Sequence, residues 1–434
     1  MDMTADTRIA SPAGDEADSE YRAIARRWFG AGSARSLPAH EAGAQATRQA
    51  LRGADPALLV VFCSEPLDPA GVLAGVRGVA GEQVPLIGCS TEAVITAQDE
   101  AQGVSVVALG GPGFTVRTAF AQPVSHRQRA AGARVATCAL DLMAAVGAAD
   151  AAAAGGATAG PDPAAPSGQP HQVLVMLTDG TASDHEEVLA GAYGVVGASV
   201  PLIGGSASPN SRQRRTFHLH GQEVLEDAVV GAAIASEAPF GVGLRHGWHR
   251  VGEPMSVTHS VNGEVLTLDD RPALQTYLER LDAPPEAYTD PEVFNKFANI
   301  RPLGVDRRGG ADVRDVSSVK YYQQGWLSCN GEVPEGGLVW LMAGDEQSVL
   351  AAAGDAVNDA VDDLDGAPPL GFLAFDCASR RKLLKEAGVR EENRLMVEQA
   401  GGAPLVGMYT WGEIARTRGI HGYHNQTLVV LAIG

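Results

Sequence analysis

The chain has 434 residues, 45% of them hydrophobic and 20% charged, with a formal net charge of −19. That length carries two or three domains with full cores, in the proportions of an ordinary globular protein. A nucleic-acid binder needs a basic footprint to release counterions, and anionic lipid repels this charge, so neither nucleic acid nor a membrane is an expected partner.

Part of the charge sits in the first twenty residues, where Asp2, Asp6, Asp15, Glu16, Asp18 and Glu20 face only Arg8. Residues 1–35 are small and polar and are expected to be a disordered tail, with room for a short helix around Tyr21–Phe29. A helix is expected next over His40–Arg52, stopped by Asp55-Pro56.

A repeat then begins. Leu58–Val61 reads as a strand, and Asp68 caps a helix with Pro69 at its first position. Val72, Leu73, Val76 and Val79 are helically spaced, and Pro85-Leu86-Ile87-Gly88-Cys89-Ser90 follows. A hairpin, the strands Val104–Leu109 and Phe114–Ala121, and a helix over His126–Val146 come after it. Residues 147–171, nearly all Ala, Gly, Pro, Asp, Ser and Thr, read as a flexible connection. The second copy runs from the strand Leu174–Leu177 through an Asp184-capped helix with Glu186 and Glu187 in its first turn. It reaches Pro201-Leu202-Ile203-Gly204-Gly205-Ser206, a hairpin through Phe217–His220, and the strand Ala228–Ala235. Leu58 lies 27 positions before Pro85, and Leu174 lies 27 before Pro201, which indicates internal duplication.

The second half starts near Glu237-Ala238-Pro239. The strand Val242–His246 leads to a hairpin over Met255–Leu268 turning at Asn262-Gly263, the strongest short hairpin signal. Asp269 or Asp270 caps a helix over Ala273–Leu281. Residues 284–312 are loop-rich, and strands are expected at Val316–Tyr322, Trp326–Asn330 and Leu338–Ala343. An Asp345-capped helix carries Val349, Leu350, Ala353 and Val357 on one face. A looser third copy closes the chain: strand Leu370–Phe375, helix Arg380–Gln399, Pro404-Leu405-Val406-Gly407-Met408-Tyr409, and strand Thr427–Ile433.

The expected fold is therefore α/β, repeated β-α-β units forming mixed sheets flanked by helices, in two associated domains. After the tail, residues 36–238 hold two repeats and the insert 147–171, and residues 239–434 hold the third repeat at 370–434. The five cysteines (Cys63, Cys89, Cys138, Cys329, Cys377) include no C-x-x-C and are expected to be reduced thiols. No apolar run is expected to reach the roughly 18 residues that span a bilayer, and no signal core opens the chain, so a cytoplasmic location is expected.

Parallel β-α-β sheets bind ligands beyond the carboxyl ends of their strands. Here those ends present Cys63-Ser64-Glu65, Thr178-Asp179-Gly180 and Asp376-Cys377 on the leading strands. The second strands present Gly88-Cys89-Ser90-Thr91, Gly204-Gly205-Ser206-Ala207 and Tyr409-Thr410-Trp411. If they meet, a Gly-lined polar pocket suits a zwitterion or small carboxylate. Arg380 either pairs with a ligand carboxylate or salt-bridges Glu413 or Asp376. Glu413 and Asp179 can receive an ammonium group. Tyr409 and Trp411 share a face, as pocket wall or as core. Cys377 precedes a helix, where a thiolate is favoured, but no histidine accompanies it or Cys89 in a catalytic motif, so no enzyme activity is expected. The 11 histidines show no metal-site spacing, and no metal is expected.

Several of these stretches resemble one family. P-L-I-G-C-S-T and P-L-I-G-G-S are similar to the FIST N-terminal domain. Gly247-Trp248 with Pro254–Thr258, Leu268–Ala273, Phe375–Arg380, Gly407–Ile414 and His424–Thr427 are similar, in order, to the FIST C-terminal domain. The resemblance spans about residues 55–434, and Asn425 in the last motif joins the candidate ligand-binding residues. It implies a bacterial, cytosolic sensory module of signal transduction that binds small ligands such as amino acids and reports to a signalling partner. Some relatives are haem-binding nitric-oxide sensors, so haem is the alternative to an otherwise expected absence of cofactor. No kinase, cyclase, methyl-accepting or F-box segment is attached, and a stand-alone copy is expected.

Overall fold

The computed structural model describes residues 26–35, 37–96, 100–153, 168–182, 184–209, 215–307, 310–316, 322–417 and 421–434. Its framework is three copies of one unit. Each unit runs outer strand, helix, leading strand, helix, second strand, hairpin, closing strand. In the first unit these are Trp28–Ala34, Ala39–Ala50, Pro56–Ser64, Pro69–Ala80, Leu86–Thr91, Val94–Thr96 with Glu100–Ala101, and Val104–Gly110. In the second they are Phe114–Ala121, Gln128–Ala153, His171–Asp179, His185–Val196, Leu202–Ala207, His218–His220 with Glu223–Leu225, and Val229–Ser236.

The third unit is a full copy, but it is split. Its outer strand is Phe240–Arg245, and its remaining elements are Glu346–Asp362, Gly371–Cys377, Ala378–Gln399, Leu405–Thr410, Glu413–Arg416 with Tyr423–His424, and Leu428–Ile433. Between them the strands from His249–Val261 to Leu338–Ala343 form a separate seven-stranded sheet with its own apolar cluster around Tyr277, Phe294 and Leu303. The third repeat thus begins at Phe240 rather than at 370. Its looseness in sequence is an inserted sheet. The outer strand of the first unit, Trp28–Ala34, lies inside the stretch expected to be a disordered tail. Every residue of it pairs with Val104–Gly110, which overrides the weak local signal. The earlier part of the expected tail lies outside the described residues, as does the middle of the 147–171 insert.

In every unit the leading and second strands pair parallel and the closing strand pairs antiparallel to the leading one. The hairpins do not stay home. That of the first unit pairs with the third unit's second strand, that of the second with the first's, and that of the third with the second's. The exchange closes a ring with approximate threefold symmetry.

Alternate residues of the leading strands, among them Phe62, Leu177 and Phe375, face the ring's centre in one shared core. Phe62 and Phe375 meet edge to face with centroids 6.1 Å apart. The opposite faces are covered by each unit's helices. Gln128–Ala153 is one such cover. Over Gln128–Ala149 it is long and apolar enough to cross a membrane, contrary to the sequence reading, because its many alanines raise its hydropathy without conspicuous Leu runs. Ala131, Val135, Cys138 and Leu142 pack it onto the second unit, so it is a core helix here.

The repeat's glycines are explained by the sheets. A Cβ on Gly88, Gly204 or Gly407 would collide with the carbonyl of Val61, Met176 or Ala374 on the paired leading strand. Their lack of a side chain lets two parallel strands approach, rather than admitting a ligand.

Candidate functional site

The registers align the three sets of strand tips residue by residue. Ser64, Asp179 and Cys377 are equivalent, as are Ser90, Ser206 and Tyr409. The hairpins add Val94, His218 and Glu413 at a third equivalent position. The tips do come together. The Tyr409 carbonyl accepts from Thr91 Oγ1 at 2.8 Å and from Ser208 Oγ at 2.9 Å, joining all three units at one oxygen. Ser206 N donates to Gly412 O at 2.8 Å, and Trp411 N to Ser206 O at 3.1 Å. Gly205 leaves room for Thr410, whose methyl a side chain would strike.

The richest chemistry lies at the third unit's tip. Glu413 is fully buried. Thr410 Oγ1 donates to its Oε1 at 2.5 Å and Thr427 N to its Oε2 at 3.2 Å. Burial pushes its carboxyl well above the ordinary range; hydrogen bonds from Thr410, Thr427 and the Cys377 thiol oppose that, and the charge of Asp376 adds to it. Glu413 forms no ion pair among the described residues, so no cation there offsets the cost of burying its charge.

Cys377 occupies the N-cap position of Ala378–Gln399, as its sequence suggests. Its thiol is nonetheless pushed well above its usual range, first by burial and then by Glu413 and Asp315. Burial outweighs the helix terminus here, so the position favours a thiol rather than the thiolate that the terminus alone would favour. All five cysteines are free and buried.

Arg380 does not face a ligand. Its side chain is fully buried and spent within the protein: Nε donates to Asp376 Oδ1 at 2.7 Å, one terminal nitrogen to Glu392 Oε1 at 2.5 Å and to the Val349 carbonyl, and the other to the carbonyl of His246. The ion-pair reading with Asp376 holds, and that with Glu413 does not. Burial raises both Asp376 and Glu392, and Glu392 most, the direction that favours a neutral triad.

Asp179 accepts from Thr181 N at 2.8 Å and Thr181 Oγ1 at 2.7 Å, the turn its position before Gly180 suggests. Ser90 is held between Phe217 N and Ser208 O. Thr178 and Ser206 share a hydroxyl–hydroxyl bond of 2.8 Å. Tyr409 is core, whereas Trp411, just beyond the strand's end, is 40% exposed, so the core reading holds for Tyr409 alone.

The inserted sheet seals this cluster. Asp315 accepts from Gln426 Nε2 at 2.6 Å and Ser379 Oγ at 2.9 Å, and its N–H donates to Asn425 Oδ1 at 3.2 Å. The buried Arg314 reaches Glu186 at 2.9 Å and the Tyr423 carbonyl at 3.2 Å, while Asn330 donates to Trp411 O at 2.7 Å. Tyr423 stacks on His185 with centroids 4.7 Å apart. Sequence reasoning missed Asp315, Glu392, Gln426 and Tyr423. Gln426 lies within the H-N-Q-T motif and Tyr423 immediately before it, so both were within reach; nothing local marks Asp315 or Glu392.

The FIST N domain matches residues 57–271 and the FIST C domain residues 273–416. The chain belongs to the FIST family. FIST domains are sensory domains of signal transduction. A relative, an uncharacterized protein of Methanocaldococcus jannaschii, is 25% identical over 201 residues, 44% of this chain and 38% of that protein. The FIST chain thus spans well under half the length of the curated relative it matches.

Haem fits these residues poorly. His246 Nδ1 accepts from Trp248 N at 2.9 Å, His424 Nε2 pairs with Ala415 O at 3.0 Å, and His185 is stacked on Tyr423. His218 is wholly buried between strands, beside Cys89 on one side and Leu225 on the other. None offers an axial nitrogen on an open apolar face.

Proposed function

We propose that this FIST protein is a cytoplasmic, non-catalytic sensory module that binds a small polar ligand with an ammonium group, an amino acid being the model case. It would bind where the strand tips of the second and third units meet beneath the inserted sheet. The observation that carries this reading is Glu413: a buried carboxyl, bonded to Thr410 and Thr427, without a cationic partner among the described residues. An ammonium group would take the place of its proton. Arg380 being occupied, a ligand carboxylate would be met by the hydroxyls and N–H groups of the tips. The inserted sheet, held by Asp315, Arg314 and Asn330, is the part whose position such a ligand would bias, and so the route to a signalling partner.

The test is a thermal-shift screen of amino acids and simple amines at millimolar concentration. A ligand at a hundred times its Kd stabilises by about 2.7 kcal/mol. A rise in Tm that disappears in Glu413→Gln is expected. No shift with any amine, or a shift unchanged in Glu413→Gln, would remove the reading.

A further inference from the structure

We propose that Cys89, Met408 and His218 form a site for one soft monovalent metal ion, Cu(I), at the centre of the ring, with one ligand from each unit. Cys89 Sγ lies 3.4 Å from Met408 Sδ, and both residues are fully buried in the central core. Cys89 belongs to the first unit and Met408 to the third, at equivalent positions of their second strands.

The third ligand comes from the exchanged hairpin. His218 stands directly opposite Cys89 in the antiparallel ladder, so both side chains leave the same face of the sheet. Its neighbour Leu219 points the other way, into the helix-covered cluster with Val61 and Leu86. His218 is 0% exposed, and neither ring nitrogen has a hydrogen-bond partner of good geometry among the described residues. A buried polar group left unsatisfied is costly, and here there are two.

The donor set selects the metal. No three His, Cys, Asp or Glu among the described residues are placed to hold an ion, which leaves zinc without its ligands. The set reaches three only when the thioether is counted, and thiolate with thioether favours Cu(I). Binding would exchange the thiol proton for the metal, forming a Cu–S bond and releasing one proton to solvent, with no change of oxidation state. A thiolate with a monovalent cation is neutral, so the apolar centre would hold no net charge, where a divalent ion would leave one uncompensated. Because each unit contributes one ligand, the ion would tie the ring together across its centre.

The experiment is an anaerobic titration of the reduced full-length chain with Cu(I) against bicinchoninate, with X-ray absorption on the product. One equivalent that outcompetes the chelator, bound by two sulfurs and one nitrogen, is expected. Cys89→Ala should abolish it, Met408→Leu and His218→Phe should each weaken it at least about tenfold, and Cys138→Ala and Cys329→Ala should leave it unchanged. Thermal melts report whether each variant folds. A wild-type chain that yields all its copper to the chelator, or binds it without a thioether and imidazole, overturns the proposal whatever the variants do. Retention by a folded Cys89→Ala does the same.

Discussion

Replacing Arg380 by Met tests the electrostatics of the third unit directly. The guanidinium makes four hydrogen bonds, two to the buried carboxyls of Asp376 and Glu392 and two to the carbonyls of His246 and Val349. Met fills much of the volume but satisfies none of them. Removing one partner of a buried ion pair costs about 3–5 kcal/mol, a large part of a typical total of about 5–15 kcal/mol. The loss should also depend on pH. Without the cation both acids must be protonated to remain buried, so the folded variant holds a proton that the unfolded chain releases. A group with its pKa raised in the folded state stabilises below its unfolded value and loses that contribution as pH rises. Urea unfolding followed by tryptophan fluorescence should therefore show a smaller deficit near pH 5 than near pH 8. A triple change, Asp376→Leu, Arg380→Met and Glu392→Met, should recover most of the deficit. A single-variant loss below about 1 kcal/mol, or one flat from pH 5 to 8, would refute the neutral-triad account.

Glu413→Gln carries the same sign: its raised folded pKa means the wild type loses stability as pH climbs above the acid's unfolded value near 4. The variant's urea midpoint should fall less between pH 5 and 8, and parallel profiles would contradict this. Gly407→Ala should destabilise by about 1–3 kcal/mol because its methyl meets the Ala374 carbonyl, whereas Gly78→Ala, with open space around it in the helix Pro69–Ala80, should stabilise by about 0.5–1 kcal/mol; equal effects in thermal melts would argue against the close-approach explanation. Burial raises Cys63, Cys138 and Cys329 to about 12, and pushes Cys89 and Cys377 well above the ordinary thiol range. Iodoacetamide at pH 7.5 should therefore label the folded chain slowly and all five sites after urea, and rapid selective alkylation of Cys377 would reopen a thiol chemistry.

What could be read locally was read well. Asp68, Asp184 and Asp345 cap their helices through side-chain bonds to the backbone, as their positions before apolar periodic runs suggest. Asn262, at positive φ, turns the hairpin ahead of Gly263. The strand Trp28–Ala34 was not legible, because five of its seven residues are Gly, Ala or Ser with little strand propensity, and it owes its conformation to pairing with Val104–Gly110. Arg380 shows the same limit inside the site. Its two candidate acids in sequence were Asp376 and Glu413, and Glu392, its other partner, was invisible because the bent helix Ala378–Gln399, interrupted at Lys385, brings it back.

The sequence by itself determined that this is a repeated α/β chain of the FIST family, because spacing, capping and motif order are written in neighbouring residues. Only the tertiary structure decided that three units close a ring by exchanging hairpins, and which groups meet at its centre. Exchange is settled by pairing between residues hundreds of positions apart, such as Ile95 with Gly407, and no local pattern encodes which sheet edge a hairpin will join. The same holds for charge state: Cys377 sits where a helix terminus favours a thiolate, and its burial, with Glu413 and Asp315 folded against it, pushes the thiol the other way.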